Sequence, residues 1–109
     1  MSYDEGVAER IREIMQDIPG CHEKKMFGGI AFMLNGNMCV GVVKDELMLR
    51  VGLEQYEETL ARAFVRKMDF TGKPMRGLVY VEADGFSEDE ALAKWIQCAL
   101  KFVNTLPEK

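Results

Sequence analysis

The stretch Gly29-Ile30-Ala31-Phe32-Met33-Leu34, Asn35-Gly36, Asn37-Met38-Cys39-Val40-Gly41-Val42-Val43 decides the fold. Asn-Gly between two apolar runs is the strongest short hairpin signal, because a two-residue type I′ turn needs positive φ at both central positions. Lys44-Asp45 makes a second tight turn and Glu46 to Val51 returns as a third strand, which predicts an antiparallel meander. Both parities of the first strand are apolar, with Ile30, Phe32 and Leu34 on one side and Ala31 and Met33 on the other. A sheet that meets water on one face alternates apolar with polar residues. Both faces of this sheet are therefore expected to be covered. A second copy in a symmetric homodimer is the simplest cover for the second face; the alternative is helices on both faces of one chain.

Outside the meander, three helical stripes stand out. Val7, Ala8, Ile11, Ile14, Met15 and Ile18 recur at helical spacing, with Ser2 and Glu5 as a capping box and Pro19-Gly20 as the stop. From Gly52 to about Phe64, Leu53, Tyr56, Leu60, Ala63 and Phe64 form an inner stripe. From a second box at Ser87 and Glu90 to about Thr105, Leu92, Trp95, Ile96, Ala99, Phe102, Val103 and Leu106 form another. Between the last two helices, Val65 to Gly77 reads as a long irregular connection with a short strand around Val65 to Met68, followed by a strand from Leu78 to Glu82. The resulting α-β-β-β-α-β(β)-α order predicts a two-layer α+β domain with an antiparallel sheet.

The chain's 109 residues suffice for one domain, spanning 1–109, and its 48% hydrophobic and 29% charged residues are those of an ordinary globular protein. Three cysteines, an odd number, and an acidic polar N-terminus without a signal peptide predict a cytoplasmic protein. No apolar run is long enough to span a membrane. The net charge of −4 divides into −3 over residues 1–21, +2 over 22–77 and −3 over 78–109. A mildly basic middle in an acidic chain is not the footprint of direct nucleic-acid binding, but it permits a local basic patch.

Catalytic and cofactor signals are sparse. No CxxC, HxH or HExxH spacing occurs, so no metal site is expected. Cys39 lies mid-strand and Cys98 mid-helix, where cysteine serves as a small hydrophobe. Cys21 follows a helix end, the wrong pole of the dipole for activating a thiol. Glycine-rich phosphate loops are absent, and no cofactor is expected. His22 reads as a surface residue at a strand start, and Asp69 as a turn or ion-pair carboxylate. These features predict a protein that is not an enzyme.

Binding signals are clearer. Arg50 points opposite to Leu49 and Val51 on an apolar strand, where a guanidinium calls for an anion. With Lys25, Asp69, Lys73 and Arg76 it makes a candidate partner- or ligand-binding set. Among the eight methionines, Met33, Met38 and Met48 are candidates for an adaptable sheet-face interface.

Several strings resemble a known family. They are Lys25-Met26-Phe27-Gly28-Gly29, Phe32, Asn35-Gly36, Leu49-Arg50-Val51-Gly52, Tyr56, Met68-Asp69-Phe70-Thr71-Gly72-Lys73-Pro74-Met75-Arg76-Gly77, Trp95 and Leu106-Pro107. Over roughly residues 3 to 108 the chain resembles the N-terminal domain of the TfoX/Sxy competence regulators. The resemblance implies a bacterial cytoplasmic protein with a secretion-chaperone-like α+β fold. It also implies a regulatory context, since full-length members carry a second domain and activate DNA-uptake genes with the cyclic-AMP receptor protein. It brings no catalytic residues and no cofactor. The expectation is a protein-interaction module, in the manner of a transcription co-regulator that touches protein. The alternative is a small-ligand or nucleic-acid binder acting through the basic loop 66–76.

Overall fold

A computed structural model describes residues 3–26, 28–70 and 73–107, with backbone alone at 26, 69, 70 and 73–75. Ser2, Phe27, Thr71, Gly72 and the side chains of Asp69 and Lys73 lie outside the described residues. The chain order is α1 (Glu5–Met15), β1 (Cys21–Met26), β2 (Gly29–Leu34), β3 (Asn37–Val43), β4 (Glu46–Arg50), α2 (Gly52–Leu60), β5 (Val65–Phe70), β6 (Lys73–Val81), a 3-10 turn (Ala83–Phe86) and α3 (Asp89–Val103). The six strands form one antiparallel sheet in the order β1-β2-β3-β4-β6-β5.

The meander forms as its turns demand. Asn35 and Gly36 both take positive φ, 52° and 85°, and Lys44 at the next turn has φ 55°. Strand β1 extends the expected order by one element. Its Cys-His-Glu-Lys-Lys-Met sequence carries no apolar alternation, and residues 22–25 are exposed. It is an edge strand held by pairing to β2, from Cys21 opposite Leu34 to Met26 opposite Gly29. The expected irregular connection is largely a β5–β6 pair, and β6 begins five residues before the expected Leu78.

Helix ends differ from their expected caps. Helix α1 starts on Asp4, whose carboxylate accepts from the N–H groups of Gly6 at 2.8 Å and Val7 at 3.2 Å, and Glu5 is already helical; the expected box with Ser2 lies outside the described residues. Helix α3 has Glu88 at its N-cap with no side-chain cap, and Ser87 ends the preceding turn. There Arg10 of α1 secures the entry, donating to the carbonyls of Phe86 and Ser87 and to Asp89. Helix α2 ends at Leu60, and Phe64, with φ 68°, has left the helix and is 47% exposed.

One sheet face and all three helices build the main core. Ile30, Phe32, Leu34, Val40, Val42, Leu47, Leu49, Val79 and Val81 meet Ile11 and Met15 of α1, Tyr56 of α2, and Leu92, Trp95, Ile96 and Ala99 of α3. The second face buries its own cluster of Ala31, Met33, Met38, Met48, Met68 and Tyr80. Among the described residues no helical side chain joins that cluster, so helices on both faces are not the solution this chain uses.

Two irregularities let the sheet cover itself. Opposite β2, the pairing passes from Phe32–Val40 to Met33–Met38, so Cys39 is an extra residue that flips the strand's alternation. Cys39 and Val40 consequently both face the helices while Met38 faces the second cluster. The β5–β6 ladder shifts between Lys67 and Asp69. At the same side Arg66 pairs with Glu46 and lies 4.5 Å from the Tyr80 ring centroid, a charged cover over an aromatic rim.

Because Met48 is fully buried, Met48→Ala removes core and not merely surface. We expect a loss of about 2–5 kcal/mol and a Tm drop of roughly 10 °C or more in a thermal melt. An unchanged Tm would return Met48 to the role of an exposed interface residue.

Candidate functional site

A groove of about 1480 Å³ opens where the second sheet face rounds the end of the sheet towards α2 and α3. The strand side contributes Lys24, Met33, Met38, Arg50 and Leu78; the helix side contributes Leu53, Glu54, Glu58, Lys101, Phe102 and Thr105; Arg76 and Gly77 join them from β6.

Strand alternation explains the membership. Lys24 sits opposite Ala31 in the β1–β2 ladder and so shares the second face, whereas Lys25 sits opposite Ile30, which belongs to the helix-side core. Arg50 follows Met48 by two residues and lies opposite Leu78, which packs on the second cluster. Leu49 and Val51 both lie in the helix-side core, so the expected outward direction of Arg50 holds. Its guanidinium reaches round the end of β4 to stand 5.6 Å from the Phe102 ring centroid.

The corner between β4 and α2 is built on two glycines. Gly52 has φ 78° and Gly77 φ 89°. The Val51 N–H donates to the Gly77 carbonyl at 2.8 Å, and a Cβ on Gly77 would lie 3.5 Å from the Gly52 Cα. A Cβ on Gly52 would overlap the Phe102 ring. The backbone here packs against the aromatic face with no room for a side chain, which sets Phe102 as the floor of this end of the groove.

Helix α2 then starts on Val51 with no side-chain cap. The Gln55 amide ties the helix to its neighbours, donating to the carbonyls of Val51 at 3.0 Å and Cys98 at 3.1 Å. Leu53, in the first turn, is 63% exposed. It was expected on the inner stripe, but the short helix, anchored through Tyr56 and Gln55, turns it into the groove mouth.

The candidate residues therefore separate. Arg50, Arg76, Met33 and Met38 come together in one groove. Met33 and Met38 are 7% and 8% exposed, so they offer their edges rather than whole side chains. Lys25 is exposed on β1 outside the lining, Met48 lies beneath it, and the side chains of Asp69 and Lys73 lie outside the described residues. Sequence reasoning missed Lys24, Leu53, Lys101 and Phe102. The period-2 register of β1 would have identified Lys24 over Lys25, had β1 been recognised.

Among the described residues, no ion pair neutralises the groove's cations. Arg10, Arg12 and Arg66 each hold a carboxylate of this chain. Among the described residues Lys24, Arg50, Arg76 and Lys101 hold none, and neither does Glu54 or Glu58 beside them. Elsewhere the Arg12–Glu23 pair, at 2.5 and 2.7 Å, raises the Arg12 pKa and lowers that of Glu23.

The three thiols are protonated at neutral pH. Burial raises the pKa of Cys21 and Cys98, and burial beside Cys21 pushes Cys39 from 9.0 up to about 12. No group of three or more metal-binding side chains occurs among the described residues, and no described helix is long and apolar enough to cross a membrane.

A family model described as the TfoX N-terminal domain matches residues 13–103. No curated protein and no solved structure matches the chain.

Two measurements check this geometry. Gly52→Ala should cost more than about 1 kcal/mol, since it combines a positive-φ penalty with the ring overlap. In a Phe102→Ala background the same change should cost clearly less, and equal costs would remove Phe102 from the account. The folded state holds the Cys39 proton more tightly than the unfolded chain does. Its contribution to stability is therefore complete below about pH 9 and lost as pH climbs towards about 12. Denaturant melts across that range should show Cys39→Ala losing less stability than the parent.

Proposed function

Since the chain belongs to the TfoX N-terminal domain family, we propose that it is a non-enzymatic protein-docking module that acts on transcription by contacting protein rather than DNA. The observation that carries this reading is the groove itself. It gathers an exposed leucine, the edges of two methionines, an aromatic floor and cations that hold no carboxylate among the described residues in one concave surface. Apolar anchors ringed by charge are the usual composition of a protein-binding site, and thioethers adapt to a partner's shape.

Binding of nucleic acid or a small ligand through the basic loop 66–76 has less support. Arg66 is engaged by Glu46 and covers Tyr80, and Arg76 belongs to the groove. An enzymatic role has no assembled constellation among the described residues to argue from: the thiols stay protonated, and His22 is exposed on an edge strand.

The test is affinity capture from the native host lysate with nuclease present, comparing the parent with Leu53→Asp and Arg50→Ala. A specific protein should co-purify with the parent and fall by about tenfold or more with either variant, the loss expected at a buried interface anchor. Both variants should melt within about 3 °C of the parent, because Leu53 is exposed and Arg50 holds no carboxylate among the described residues. Capture that disappears with nuclease alone, or that both variants retain in full, would sink the docking reading.

A further inference from the structure

The groove also says what kind of segment fits it, an inference that rests on the docking reading above. We propose that its occupant is an acidic–apolar segment of a partner protein, with an apolar side chain seated between Leu53 and Phe102 and neighbouring carboxylates on Arg50 and Arg76.

Charge complementarity is the first argument. Four cations and two carboxylates line the groove, a local excess of +2 on a chain whose net charge is −4. The other clustered arginines are spent internally: Arg10 on Asp89, Arg12 on Glu9 and Glu23, and Arg66 on Glu46. Arg62 stacks on Trp95 at 4.1 Å. Arg50 and Arg76 hold no carboxylate among the described residues, although Glu54 and Glu58 line the same groove. Arg50 is half-buried beside the Phe102 ring and Arg76 is exposed, and a guanidinium's planar fork matches a carboxylate in a bidentate pair.

The apolar surface is the second argument, and it selects protein over nucleic acid. Leu53 is the most exposed large hydrophobic side chain described, and it lines the same groove as Phe102. Leucine and methionine receive an aliphatic or aromatic side chain, and among the described lining residues Phe102 is a single ring, not the row of aromatic platforms on which single-strand binders stack successive bases. Glu54 and Glu58 on the helix wall would oppose a continuous phosphate chain, while a peptide places its carboxylates singly.

The probe is a fluorescent peptide of about twelve residues that interleaves aspartate with leucine and phenylalanine, read by polarisation on the whole chain. Its partner probe carries asparagine at every aspartate. The acidic peptide should bind about tenfold more tightly than the amide peptide and weaken several-fold between about 50 and 300 mM salt. The double variant Arg50→Gln with Arg76→Gln should lose about tenfold, whereas Lys67→Gln, on exposed β5 outside the groove, should bind within about twofold of the parent. Amide shifts in labelled protein should fall on Leu53, Phe102 and the Arg50 strand end.

Equal binding of the two peptides, or full binding by the double variant with an unchanged melt, would overturn the acidic occupant. Tighter binding of a single-stranded oligonucleotide through the same arginines would overturn it as well. If the peptides bind alike while Leu53→Asp still abolishes capture of the native partner, the docking reading survives and the acidic chemistry alone falls.

Discussion

A six-stranded sheet with two apolar faces and helices for only one of them is the constraint on which this structure depends. Burial of apolar area is the main favourable term in folding, so the uncovered face must find cover among its own strands. The chain meets this by breaking its ladders. At Cys39 an extra residue reverses the alternation, sending Val40 to the helix side and Met38 to the other. Bulges strengthen local twist, which brings long side chains on one face closer together. Methionine then fills the irregular interior: Met33, Met38, Met48 and Met68 make up most of that cluster.

Self-covering leaves an asymmetry along the second face, and that asymmetry makes the site. At the β5 side, Arg66 and Glu46 close over Tyr80. At the other end, the strands run out at Arg50 and the chain must turn at once into α2. The turn uses Gly52, where a side chain would overlap the Phe102 ring, and the positive φ of both Gly52 and Gly77. The same turn throws Leu53 outwards and carries Arg50 over the aromatic ring. The groove is therefore what remains when one end of the face is sealed by an internal ion pair and the other is not.

The legible parts of this architecture were those written in local chemistry. Asn35-Gly36 announces its turn because few other residue pairs tolerate its dihedrals, and the α1 and α3 stripes declare their buried faces at helical spacing. The doubly apolar β2 signalled burial on both sides, and the TfoX resemblance agreed with the family match. What escaped was written in tertiary structure. Strand β1 is polar from His22 to Lys25 and is held by pairing to β2. Leu53 looks like an inner-stripe residue until the nine-residue helix is fixed in rotation by Tyr56 and Gln55. Met48 and Met33 share a face, yet depth within the cluster separates a core residue from a groove edge. The choice of Lys25 over Lys24 turned on a register that an unrecognised strand could not supply.

Placing the basic groove on an acidic chain bears on specificity more than on strength. Exposed ion pairs contribute little net stability, so the carboxylates on Arg10, Arg12 and Arg66 do their main service by removing competing cations from the surface. The terminal segments carry −3 each, and for the proposed acidic segment such like charge would suppress wrong encounters. At the end of β4, Arg50 and Arg76 stand without carboxylate partners among the described residues, in the same groove as an exposed leucine. On the proposed segment, like-charge repulsion elsewhere and attraction here would act in opposite senses. If the proposed acidic–apolar segment is the occupant, a field so arranged would orient the encounter before any contact is made, and the apolar floor of the groove would then decide which of the oriented segments stays.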